Sequence, residues 1–104
     1  MEMHITFAGG KRVNAEWLGR TIATDQAREG GGDGSAPEPY ALFLASIGTC
    51  AGIYVLEFCR ARNLPTEGIS LVQRLGFNPV THKLENVRIE IRLPPDFPEK
   101  YKKP

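Results

Sequence analysis

The sequence is poor in cysteine, histidine and net charge. Only two cysteines, Cys50 and Cys59, and two histidines, His4 and His82, occur among its 104 residues. Scarce cysteine excludes a disulfide framework, and two thiols in such a chain are expected to stay reduced in a cytoplasmic protein. The four residues share no spacing that could hold a metal, so no metal and no cofactor are expected. His4 and His82 fall in strand or turn positions and are read as plain surface histidines. A formal net charge of +1 leaves no electrostatic ground for nucleic acid or an anionic membrane as a partner. The start, Met1 to Ile5, has neither a basic run nor an apolar one, so no signal peptide is expected. Internal repeats are missing too.

What is present is the pattern of one α+β domain over residues 1–104, with 41% apolar and 24% charged residues. Apolar and polar residues alternate from His4 to Phe7 and from Arg12 to Leu18 around Gly9 and Gly10, a hairpin signature, and Arg20–Asp25 adds a third strand. Residues 28 to 39 are too rich in glycine for regular structure. Pro39 then opens a long apolar helix, with Glu38 beside its positive end, and Pro65 stops it near Asn63. Strands are expected from Gly68 to Phe77 and from Lys83 to Leu93, joined by a turn at Asn78 and Pro79. Val87, Ile89, Ile91 and Leu93 should face the core. Asp96 to Pro104 reads as the start of another helix.

The helix carries the chemistry. From Tyr40 to Cys59 its only formal charge is Glu57, so it has the length of a membrane span. Gly48, Gly52, Ser46, Thr49 and Glu57 favour instead a helix buried in a protein core. Its apolar surface on every side also predicts burial against a second copy. Cys50 and Cys59 stand nine residues apart, on opposite faces and about 13.5 Å apart along the axis. They cannot pair while the helix is intact. Cys59 is read as core filler and Cys50 as either a buried thiol or a nucleophile. Cys50 lies too deep in the helix for its dipole to help a thiolate much, so a cation from elsewhere is needed, Arg28 or Arg20.

The run from Pro37 to Arg62 resembles the OsmC/Ohr family, the osmotically inducible and organic hydroperoxide resistance proteins. It has the proline near the helix start, the Leu44, Ala45, Ser46 run and then the cysteine, and the later strands fit the family order. The resemblance implies a divergent OsmC-like branch: antiparallel N-terminal strands, a long buried central helix, further long strands and an intertwined homodimer. It implies a cytoplasmic thiol peroxidase acting on a small hydroperoxide, with an external dithiol as reductant. Cys50 would be the peroxidatic residue. Arg28 matches the family's loop arginine. The family's glutamate position, ten residues before the cysteine, holds Tyr40, and Glu38 is the nearest acid. Tyr40, Phe43 and Tyr54 would line the substrate. The family's resolving cysteine lies in a later helix that this sequence does not reach, so the domain is expected to be incomplete at its C-terminus. The alternative is a non-catalytic module of the same fold that binds a small hydrophobic ligand or acts structurally in the dimer.

Overall fold

The computed structural model describes residues 1–102, arranged in two compact units that divide within the long helix, the first spanning Met1–Ser46 and the second running from Ile47 onward. Lys103 and Pro104 lie outside the described residues.

In the first unit β1 (His4–Gly9), β2 (Arg12–Trp17) and β3 (Arg20–Thr24) form an antiparallel meander in the order β1-β2-β3. Gly9 and Gly10 make the first turn at positive φ, 100° and 57°, where a side chain would be strained. Strand alternation sorts the sheet into two faces. The register Ile5↔Ala15, Phe7↔Val13 and Ala15↔Ile22 gathers the apolar residues on one of them, while Thr6, Asn14, Glu16 and Thr21 occupy the other. The apolar face is poorly covered: Phe7 is 84% exposed and Ile5 is exposed as well.

The helix α1 (Pro39–Ala61) begins at the expected proline. Its first turn is closed by Leu42 N–H donating to the Glu38 carbonyl at 3.2 Å. Its end is a Schellman motif: Leu64 N–H donates to the Cys59 carbonyl at 2.8 Å and Asn63 N–H to the Arg60 carbonyl at 3.2 Å, with Asn63 at φ 56°. Asparagine tolerates that left-handed position better than most residues, and Pro65 follows two residues later. Within the single chain this helix is largely uncovered. Over its most apolar stretch it has a mean hydropathy of 1.8 yet is only 11% buried. The described chain does not supply enough apolar surface to cover a helix that is apolar on every side.

In the second unit β4 (Ser70–Phe77) and β5 (Leu84–Arg92) pair antiparallel over their whole length. Arg74, Arg88, Glu90 and Arg92 share one face; Leu71, Leu75, Val87, Ile89 and Ile91 share the other. Val87 and Ile89 are half-buried, as their alternation predicts, while Ile91 is 49% exposed. Between the strands the Asn78 side-chain oxygen accepts from Val80 N–H at 2.8 Å and Thr81 N–H at 2.9 Å. That Asx turn is why the reversal falls at Asn78. The helix expected after Asp96 is a single 3₁₀ turn, Glu99–Tyr101, since one turn has too few internal bonds to propagate as an α-helix.

Candidate functional site

Each sequence-derived site residue lies in one of the two units. Cys50 and Tyr54 belong to the second. Of the two readings of Cys50, a buried thiol or a nucleophile, the first does not hold within one chain: Cys50 is exposed, because the same lack of cover that exposes the helix leaves this side chain open. Tyr54, one turn further along and on the same side of the helix, is 76% exposed. Cys59 is 1% exposed, packed at the Schellman end of the helix as a core residue should be. Beside it the Arg62 guanidinium donates to the Phe58 carbonyl at 3.1 Å and stacks 3.7 Å above the Phe58 ring, whose edge meets Tyr101. Tyr54, Phe58, Ile91, Leu93, Phe97 and Tyr101 line an apolar groove of about 390 Å³.

The first unit holds Arg28, Glu38, Tyr40 and Phe43. Tyr40 and Phe43 stack at 6.2 Å with 14° between their planes, so the structure brings these two together. Both are exposed. Arg20 projects from the start of β3, opposite Trp17. Glu38 is exposed immediately before the helix, near the partial positive charge of its first N–H groups. Arg28 opens a 3₁₀ turn, Arg28–Gly30, and its guanidinium forms no ion pair within this unit.

That turn corrects the expectation of an irregular glycine loop. Its organiser is Asp25, which the sequence reading took only as the end of a strand. The Asp25 carboxylate is 1% exposed and accepts three hydrogen bonds: Gln26 N–H at 2.7 Å, Ser35 N–H at 3.0 Å and Ser35 Oγ–H at 2.6 Å. Asp25 N–H donates to the Pro37 carbonyl at 3.1 Å, fastening the far end of the loop. Inside, Gly30 and Gly32 N–H both donate to the Ala27 carbonyl, and Gly34 N–H donates to Gln26. The Ser35 hydroxyl and then the Ser35 amide lower the Asp25 carboxyl to about 2, outweighing the burial that acts against the charge. The signal was an aspartate ten residues before a serine in a run of glycines, which periodicity does not register. Among the described residues no three of His, Cys, Asp and Glu gather as metal ligands would.

The family model for OsmC-like proteins matches residues 32–103, more than half of the chain, and the matched span includes Glu38, Tyr40 and Cys50 but not Arg28. A solved structure described as an osmotic stress induced and detoxification response protein, from Psychrobacter arcticus 273-4, superposes with a TM-score of 0.74 at 21% identity. The alignment covers 94% of this chain and 73% of that one, which shows a shared fold. No curated protein matches the chain.

Proposed function

Because the chain belongs to the OsmC-like protein family, we propose that it is a cysteine-based thiol peroxidase that reduces organic hydroperoxides in oxidative-stress defence. The observation that carries this reading is the exposed Cys50 thiol on the apolar helix, inside the family-matched span. A nucleophile must reach its substrate, and only a thiolate attacks a peroxide at a useful rate.

The reaction balances as follows. The Cys50 thiolate attacks the distal oxygen of ROOH, the O–O bond breaks, and a sulfenic acid forms while the alkoxide takes a proton and leaves as ROH. An external dithiol then supplies two electrons. Its first thiol displaces water from the sulfenic acid to give a mixed disulfide, and its second releases Cys50 and leaves the reductant as a disulfide. The dithiol must be external to Cys59, which is buried and on the opposite face of the helix. Arg28 is the cation proposed for the thiolate, and Glu38 the acid proposed to orient it. Tyr40, Phe43 and Tyr54 would offer apolar contact to the organic group of the hydroperoxide.

The same reading includes a cytoplasmic homodimer. The exposed apolar helix and the open face bearing Ile5 and Phe7 support it, since soluble chains rarely leave such surface bare. One observation favours a second reading. The apolar groove beside Tyr54 suits a non-catalytic module that holds a small hydrophobic ligand. Trapping sulfenic acid after adding cumene hydroperoxide separates the two. A peroxidase labels at Cys50 within the first equivalent, whereas a binding module reacts no faster than a free thiol.

A further inference from the structure

The buried carboxylate that closes the glycine loop has no part in the chemistry above, yet it sits three residues from Arg28. We infer that Asp25 is a positioning residue for Arg28, acting through the loop and not on substrate; this rests on the reading of Arg28 as the thiolate's cation.

The geometry is local to the first unit. Loops of this composition are ordinarily mobile, and a long arginine on one gives up rotamer freedom each time it is fixed. Here the loop is tied at both ends by one residue. The Asp25 side chain holds Gln26 and Ser35, and its own N–H holds the Pro37 carbonyl, so residues 26 to 36 form a closed ring of backbone. Inside the ring the Arg28 turn is fixed by Gly30, Gly31 and Gly32 N–H groups donating to Ala27 and Arg28 carbonyls at 2.9 to 3.1 Å. Gly32 is required by space: a methyl group there would collide with the Gln26 carbonyl and crowd the Asp25 carboxylate. The ion pair of Arg12 with Asp33, at 3.2 Å, engages another point of the loop, and among the described residues Arg28 forms no ion pair. A buried, fully hydrogen-bonded carboxylate whose bonds all go to one loop is a fastening for that loop.

Two variants open the ring by different means. Asp25→Asn replaces an acceptor oxygen with a donor facing donors, and Gly32→Ala keeps the Asp25 charge but wedges a methyl group against the Gln26 carbonyl and the carboxylate. Amide hydrogen exchange on the whole chain should show Gly32, Gly34 and Ser35 losing protection in both, with the strands unchanged. The rate of Cys50 oxidation by cumene hydroperoxide, read on the Cys50 peptide, should fall about ten- to a hundredfold in each, the usual effect of a misplaced positioning group. Arg28→Ala should lower the same rate, and adding it to Asp25→Asn should change the rate less than about twofold, because the two act as one unit. A merely structural Asp25 would give independent losses that multiply. Unchanged loop protection, a wild-type oxidation rate in Asp25→Asn, or multiplying losses would each overturn the positioning role alone. Wild-type protein reacting no faster than a free thiol would overturn the peroxidase reading, and this one with it.

Discussion

At the scale of single residues, the two that matter most lie in environments that the sequence did not specify. Cys50, placed among small and apolar side chains by the sequence, is open to solvent, and Asp25, unremarked in a strand, is buried. Nothing in one helix's pattern tells which of its sides the rest of the chain will cover, so the exposure of Cys50 could not be read in advance. The Asp25 bonds link residues ten apart through a side chain, and pattern reasoning sees only the glycines between them. The pH dependence follows from the depressed carboxyl. Its value is about 2 when folded against an ordinary 3.8 for a free aspartate, so the ionised group stabilises the fold fully above about pH 4. That contribution is lost as pH falls from about 4 towards 2. Loop amide exchange measured across this window should accelerate as acid is added, and the Asp25→Asn variant should already be fast at neutral pH and show no step there.

At the scale of elements most of the fold was legible. The three N-terminal strands, the helix start at Pro39 and the two long strands fall where alternation and punctuation place them, because each follows from local chemistry. The helix end is a matter of two residues. Pro65 bounds it, and Asn63 closes it in the left-handed region at φ 56°. Asn63→Val should therefore destabilise the second unit by about 1 to 2 kcal/mol, the steric penalty of a β-branched residue there, and Asn63→Gly should be neutral or stabilising. Chemical denaturation of the three proteins checks the order; Asn63→Val as stable as the parent would mean the Schellman end contributes nothing. The 3₁₀ turn at Glu99–Tyr101 was less legible, since Asp96 and Pro98 are start signals that a 3₁₀ turn and an α-helix share.

At the scale of the whole molecule the chain has more apolar surface than its own described residues cover. Phe7, Ile53 and Tyr54 are each more than half exposed, and the proposed homodimer would cover such surface with a second copy. Sedimentation at micromolar concentration is expected to return twice the chain mass of 11.5 kDa. Phe7→Glu should shift it to the monomer while leaving the strand's backbone pairing intact, because the Phe7 side chain is 84% exposed within one chain. A monomer in the parent protein would remove the dimer from the account. The fold was thus readable from the strand alternation and one helix motif, while burial, which depends on what covers the helix, was not.

The central claim is that Cys50 is a peroxidatic thiol. Its most direct measurement is a titration with cumene hydroperoxide, trapping sulfenic acid and reading both cysteine peptides by mass spectrometry, in the parent protein and in Cys50→Ser. The account predicts rapid, stoichiometric oxidation confined to Cys50, with Cys59 untouched and the variant inert. Oxidation no faster than that of a free thiol, or equal at both cysteines, would contradict it.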